Sequence, residues 1–332
     1  MRDRSCEPSL DATDLPADAV RAVAPGGLGN MGPGLDVLGC ALTGLADEVI
    51  AWREEGAGVR VVDSGHPDLP TDPARHASAI AAQAVLDRVA KGGSPTGGIG
   101  MRLIKGLPLA GGQGGSAASA VAGAAAANTL LGEPLDDAAL IDAALVAESV
   151  VAGRHLDNIA PAVLGGIILV RSAEPADLIR IRAPRGLRIV LALPAMRLQT
   201  REARAVLPAH VDRATALHQA AQVAAIVAAC MNGDLALLGR AIDDRIAEPS
   251  RAHLLPGFAE AKRAALAAGA LGCSISGAGP TSFAFCGSDA DAERVALAMQ
   301  DAYAERGVGS TTRIARVSDT GVRVDRIAAM RR

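Results

Sequence analysis

Two kinds of periodicity run through this chain. Short apolar or alternating stretches bounded by Gly and Pro, at 20–24, 48–52, 59–63 and 99–104, predict strands. Longer stretches with helical spacing follow at 77–90, 116–131 and 136–152. The last opens on Asp136 and Asp137, whose charge favours a helix start. Next come an apolar run at 166–170 and a strand at 187–193, with Arg182-Ala-Pro-Arg-Gly186 between them. Further helices are predicted at 213–231, 235–243, 258–268 and 290–305, and strands at 273–276, 282–286, 312–316 and 321–326. A boundary at the proline-containing link leaves a loose extension over 1–19, a first domain over 20–184 and a second over 185–332. Ala enrichment aside, no repeat or low-complexity tract interrupts the pattern.

Composition narrows this picture. At 332 residues the chain is long for a single core, so two domains or one large α/β unit are expected. Half the residues are hydrophobic, yet the aromatics are only Trp52, Phe258, Phe283, Phe285 and Tyr303, so the core must be aliphatic and packed with Ala. Net charge is −3 with Arg scattered rather than massed, which argues against nucleic acid and for a small-molecule partner. Cys6, Cys40, Cys230, Cys273 and Cys286 are widely spaced, contain no CxxC pair and are odd in number, which fits a reducing cytoplasm better than a zinc site or a disulfide framework. The first nineteen residues lack the apolar segment of a signal peptide. No apolar run reaches the length of a bilayer span, and 116–131 comes closest.

Four segments concentrate polar groups or glycine. In Pro108-Leu-Ala-Gly-Gly-Gln-Gly-Gly-Ser-Ala-Ala-Ser119, glycines run into a hydroxyl residue where an Ala-rich helix begins. Such a loop suits a phosphate, because the backbone can approach the anion and the helix start presents free N–H groups. A plain glycine turn before a buried helix is the alternative, and the loop lacks the Lys of a P-loop. Pro25-Gly-Gly-Leu-Gly-Asn-Met-Gly-Pro-Gly-Leu-Asp36 is a glycine-laden loop in which Asn30 and Asp36 are suited either to a polar ligand or to local turns. After the helix-end Glu148, the polar groups His155, Asp157 and Asn158 cluster ahead of an apolar strand, which favours a site. Gly272-Cys-Ser-Ile-Ser-Gly-Ala-Gly-Pro-Thr281 could by itself be a hairpin.

Taken in order, these segments resemble the GHMP small-molecule kinases over about 20–324, and within them the homoserine kinase branch. The first loop resembles the family's opening substrate loop, the loop around Gln113 its phosphate loop, and Gly277-Ala-Gly-Pro-Thr281 its third glycine motif. His155-Leu-Asp-Asn-Ile-Ala-Pro161, Thr200-Arg-Glu-Ala-Arg-Ala-Val-Leu-Pro208 and Glu248-Pro-Ser-Arg-Ala-His-Leu-Leu-Pro-Gly257 resemble segments of that branch. The resemblance implies an α+β, two-domain GHMP kinase fold, with an ATP-binding N-terminal domain like domain 2 of ribosomal protein S5 and a ferredoxin-like C-terminal domain. It implies transfer of phosphate from ATP to the side-chain hydroxyl of L-homoserine, with Mg²⁺, in a cytoplasmic homodimer that binds neither nucleic acid nor membrane.

Carried over residue by residue, ATP falls to Pro108, Gly111, Gly112, Gln113, Gly114, Gly115, Ser116, Ala117 and Ser119, with His76 near the base. Ser116 and Glu148 are the candidate metal ligands, a hydroxyl and a carboxylate being hard oxygen donors. Asn30, Asp36 and His155 fall to the amino-alcohol end of the substrate, Thr200, Arg204 and Arg251 to its carboxylate, and Gly277 lies beside them. Asn158, His155 and Arg204 are the catalytic candidates, Asn158 standing where related kinases carry an Asp. Since an amide is no base at neutral pH, the resemblance implies that the hydroxyl is aligned and its proton passes to phosphate or solvent.

The chain also departs from the family pattern. Gly112-Gln-Gly-Gly-Ser116 replaces Gly-Leu-Gly-Ser-Ser, and Gly26-Gly-Leu-Gly29 replaces Ala, Thr, Ser and Ala. Each extra glycine costs roughly 0.5–1 kcal/mol to order. His76 stands in for an Asn that reads the adenine edge, so looser purine selectivity is expected. A kinase acting on another small amino alcohol or hydroxy acid and a catalytically silent ligand binder are the competing readings.

Overall fold

A computed structural model describes residues 15–93 and 97–327, so most of the predicted extension over 1–19 lies outside the described residues. The first half runs β1 (Val20–Gly29), β2 (Leu38–Glu54), β3 (Gly58–Asp63), α1 (Ala77–Lys91), β4 (Gly98–Ile104), α2 (Gly115–Leu130), α3 (Asp137–Val151), α4 (Leu156–Leu164), β5 (Ile167–Ala173) and β6 (Ala176–Ile181). The second runs β7 (Arg188–Pro194), α5 (Thr200–Ala205), α6 (Arg213–Asn232), α7 (Leu235–Arg240), α8 (Ala247–Arg251), α9 (Phe258–Ala267), β8 (Gly272–Ile275), β9 (Ser282–Cys286), α10 (Asp289–Glu305), β10 (Ser310–Ala315) and β11 (Arg323–Arg326).

Two sheets result. One has the order β11-β1-β2-β4-β3, with β5 on the far stretch of β2 and β6 on β5; the other has the order β10-β7-β9-β8. The predicted helices recur within a few residues, and Asp136 caps α3 by accepting from the Ala139 N–H at 2.9 Å. α2 is apolar all round and buried over nearly its whole length, as its Ala-rich sequence requires.

Several elements differ from the sequence reading. The strand predicted at 20–24 continues to Gly29, because Gly27, Leu28 and Gly29 pair with Ala41, Cys40 and Gly39 of β2. The loop carrying Asn30 and Asp36 is therefore short and anchored at both ends. β2 extends well before residue 48, and α4, β6, α5 and α8 form where no element was predicted. α4 is short and holds Pro161, a residue that breaks helical pattern. β11, assigned by position to the second half, returns to pair with β1 in the first sheet.

The halves share a core. Leu28, Leu38 and Ile167 of the first sheet pack with Ile189, Leu191, Phe283 and Phe285 of the second. Among the described residues α6, not 116–131, is the helix long and apolar enough by composition to cross a membrane, with a mean hydropathy of 1.4. Its Ile226, Ala229 and Cys230 pack in the shared core, and its Gln219 donates to Asp244 at 2.7 Å.

Candidate active site

A cleft of about 900 Å³ opens between the loop after β1, the start of α2, the end of α3, the start of α4, and α5. It gathers nearly all the residues singled out from sequence: Asn30 and Asp36; Pro108, Gly111, Gly112, Gly114, Gly115, Ser116 and Ser119; Glu148, His155 and Asn158; Thr200, Arg204, Arg251 and Gly277; and His76. Residues more than 200 positions apart meet there. The side chains of Gln113 and Ala117 do not line it.

The glycine loop turns tightly into the start of α2. Gly114 caps α2 in the left-handed region at φ 68°, a conformation that favours glycine, and Gly112 has φ 72°. The loop is clamped from behind by the third glycine segment. Ser276 Oγ donates to the Gly112 carbonyl at 2.7 Å, and Thr281 Oγ1 to the Gly111 carbonyl at 2.6 Å. Gln113, which departs from the family pattern, belongs to this clamp: its amide donates to Thr281 Oγ1 and accepts from Arg313, both at 3.0 Å. It is buried, so its role is to fasten the loop to the second domain. Ala117 lies in the first-domain core.

Gly115 gains its meaning from a residue the sequence analysis missed. A Cβ there would lie 3.0 Å from Lys105 Nζ. This buried ammonium pairs with Asp47 and donates to the Gly115 carbonyl at 3.1 Å. Burial pushes its pKa down, opposed by Asp47 and Glu148. Ser119 donates to Asp47 at 2.5 Å, so its hydroxyl supports the loop from below.

A relay of polar groups crosses the other wall. Arg204 holds Asp36 in a two-pronged ion pair, with bonds of 2.5 and 3.2 Å, and donates from Nε to His155 Nε2 at 3.1 Å. His155 Nε2 must then be an acceptor. The network therefore assigns the imidazole proton to Nδ1, which donates to Glu148 Oε1 at 3.3 Å. Glu148 Oε2 is buried without a hydrogen-bond partner. Arg251 is more structural: it donates from Nε to the Ala203 carbonyl at 3.0 Å and from a terminal nitrogen to the Gly277 carbonyl at 2.9 Å. Asn30 Nδ2 donates to the same Gly277 carbonyl at 3.0 Å. Thr200 opens α5, whose start is a Gln199–Glu202 capping box.

Asp157 and Asn158 sit side by side over β1. A Cβ on Gly29 would lie 2.8 Å from Asn158 Oδ1 and 3.1 Å from Asp157 Oδ2, and one on Gly39 would lie 1.8 Å from the Asp157 carbonyl. Only glycine at 39 lets α4 seat so closely. Asn158 Oδ1 also lies 3.5 Å from where a Cβ on Gly114 would be, which puts the amide beside the glycine loop. Burial, with the Asp36 carboxylate adding to it, pushes the Asp157 carboxyl up to about 6, against the pull of His155. His76 is buried at the start of α1; its Nε2 faces the Ser64 carbonyl at 3.4 Å, and its Nδ1 has no partner. With Nε2 as donor, the free nitrogen is an acceptor. Burial lowers its pKa.

Comparisons with known proteins agree with this geometry. The family models described as GHMP kinases N terminal domain and GHMP kinases C terminal match residues 77–166 and 226–305. A homoserine kinase from Chlorobium phaeovibrioides is 45% identical over 294 residues, covering 86% of this chain and 92% of the relative. One from Arabidopsis thaliana is 39% identical, covering 92% and 84%. The crystal structure of homoserine kinase from Cytophaga hutchinsonii superposes with a TM-score of 0.87 at 36% identity, over 93% of this chain and 98% of that one. The chain belongs to the homoserine kinases of the GHMP family. In GHMP kinase terms, the glycine loop at α2 belongs to the first domain and its clamp to the second. Mevalonate kinase from L. major, at 18% identity and a TM-score of 0.66, shares the fold.

Proposed function

We propose that this protein transfers the γ-phosphate of ATP to the side-chain hydroxyl of L-homoserine, giving O-phospho-L-homoserine for threonine synthesis in the cytoplasm. The observation that carries this reading is the Asp36–Arg204 ion pair facing the same cleft that Asn158 lines beside Gly114. An amino acid presents an ammonium and a carboxylate a few bonds apart. Asp36 can take the first and Arg204 the second, so the substrate replaces an internal ion pair with two new ones and strands neither charge. A side chain of homoserine's length then carries its hydroxyl toward Asn158 and the phosphate loop. Free, buried Cys40, Cys230, Cys273 and Cys286 support a reducing compartment, and the homodimer implied by the family belongs to the same reading.

Phosphoryl transfer needs in-line placement and neutralisation of charge more than covalent chemistry. In this reading the loop at 111–115 supplies backbone N–H groups to the phosphates, and Lys105 adds positive charge beneath them. Mg²⁺ fits Ser116 and Glu148, both lining the cleft, since Glu148 Oε2 is a buried carboxylate oxygen without a partner. Among the described residues no cluster of three or more acidic, His or Cys side chains could hold a metal, as suits an ion that shares its coordination with phosphates. When bound, the ion would neutralise phosphate charge. His155, held between Glu148 and Arg204, keeps the metal carboxylate and the substrate-binding guanidinium in register. Phosphorus NMR of a reaction with ATP, Mg²⁺ and homoserine should show a new phosphomonoester. Its absence, while another amino alcohol in a panel is phosphorylated, would overturn the choice of substrate.

A further inference from the structure

A second cavity, of about 800 Å³, opens between the segment after β4 and one face of the second sheet. It shares Lys105, Pro108 and Leu109 with the cleft described above, and its other walls are different. In the antiparallel pairing of β7 with β10, Arg313 lies opposite Leu191 and Thr311 opposite Leu193, so these four side chains stand on the same sheet face and line the cavity together. Leu45 and Leu107 line it from the first half. The walls are thus largely aliphatic, and among the described residues no Asp or Glu belongs to them.

The basic residues on these walls differ in what holds them. Lys105 is paired with Asp47, and Arg197 with Asp68 at 2.7 Å, where His66 also faces Asp68 at 3.9 Å. Arg313 has no carboxylate partner among the described residues. Its Nη2 donates to the neutral Gln113 amide at 3.0 Å, and its buried Nε donates to nothing. Burial lowers its pKa, with no counter-charge to oppose the shift. A half-buried guanidinium without a counter-charge, on the wall of an aliphatic cavity with room for a small organic molecule, is a site lacking its anion. One uncommitted cation balances one negative charge, which favours a carboxylate over a phosphate dianion, and the guanidinium fork matches a carboxylate's two oxygens. The leucines favour a hydrocarbon body. An amino acid fits less well, because its ammonium would leave water with no wall carboxylate to meet it. We propose that this cavity is a second binding site, which takes a small aliphatic monocarboxylate without an ammonium group, its carboxylate on Arg313 and its chain against the leucines. The proposal is independent of the substrate assigned to the cleft.

The test is isothermal titration calorimetry of the full-length protein with isocaproate. Leucine, which adds an ammonium to the same skeleton, and isocaproamide, which removes the charge, are the matched controls. Isocaproate should bind saturably, and both controls at least about tenfold more weakly. Since Arg204 in the cleft can also take a carboxylate, two variants locate the site: Arg313→Gln should weaken isocaproate at least about tenfold, while Arg204→Leu leaves its affinity unchanged. No saturable binding, equal binding of the three compounds, or loss of binding in Arg204→Leu alone would overturn the proposal. Should Arg313→Gln fold poorly, a diazirine-bearing analogue of isocaproate photolysed on wild type decides. Labelling within 191–197 or 311–313 that excess isocaproate suppresses supports the site. Labelling confined to 200–205, or labelling that excess isocaproate leaves unchanged, overturns it.

Discussion

Arg204 and Arg251 look equivalent in the sequence, and the structure separates them. Arg204 is 37% exposed and its partner Asp36 43%, so their ion pair adds little to stability. Arg251 is 3% exposed and ties the Ala203 and Gly277 carbonyls together, which makes it a strut between α5 and the third glycine segment. Arg204→Leu should therefore leave the melting temperature nearly unchanged. In the proposed reading it removes a charge-assisted contact to the substrate, worth roughly 1.5–3 kcal/mol, which corresponds to a rise of about 10- to 150-fold in the KM for homoserine. The KM for ATP should stay within about twofold, since no loop bond is lost. Arg251→Leu removes one buried and one partly buried hydrogen bond and leaves the Ala203 carbonyl without that donor. Gly277 keeps Asn30. A loss of about 2–4 kcal/mol follows, equivalent to roughly 3–6 °C in melting temperature for a chain of this size. Scanning calorimetry beside steady-state kinetics for both variants is the assay. A stable Arg251→Leu that raises only the homoserine KM, or an Arg204→Leu that melts early, would refute the division.

Other expectations follow from the same geometry. Glu148→Gln can still accept from His155 Nδ1, so the fold should hold, while most of kcat is lost and the magnesium requirement rises; an unchanged rate in a low-magnesium titration would count against the metal role. Gln113→Leu restores the family residue but strands Arg313, half-buried, and removes the amide's bond to Thr281 Oγ1, leaving the Thr281 and Ser276 bonds to the loop carbonyls as the clamp. It should lower stability by about 1–3 kcal/mol and raise the KM for ATP, as denaturation and kinetics would show. His76 offers only an acceptor, which suits a 6-amino purine better than a 6-oxo purine, contrary to the looser selectivity expected from sequence. kcat/KM should favour ATP over ITP by about tenfold or more, and His76→Ala should erase most of that ratio; a preference that survives the substitution would show that this residue does not read the base.

Much of the site was legible because it is written locally. A glycine run before an Ala-rich helix specifies an anion cradle through backbone geometry alone, and Asp136 specifies a helix start through its own side chain. The order of such motifs, with the family resemblance they support, singled out before any coordinates most of the residues that the fold gathers in one cleft. What the sequence could not reveal depends on residues distant along the chain. Gly29 reads as part of a glycine-laden loop and Gly39 carries no motif, and only the pairing of β1 with β2 under α4 makes them seats for Asp157. Gln113 reads as a loop residue facing phosphate, and only the second sheet supplies Thr281 and Arg313 to turn it inward. Lys105 and Asp47 carry no motif, and their charges meet beneath the loop only because β2 and β4 are neighbours. β11 follows the second domain in sequence yet completes the first sheet. Backbone conformation and helix capping are decided within a few residues, so the sequence by itself determined them. Which side chains share a buried space, which polar groups are satisfied and which carboxylate oxygen is left without a donor are set by tertiary packing, because burial and electrostatics depend on every segment that closes over a site.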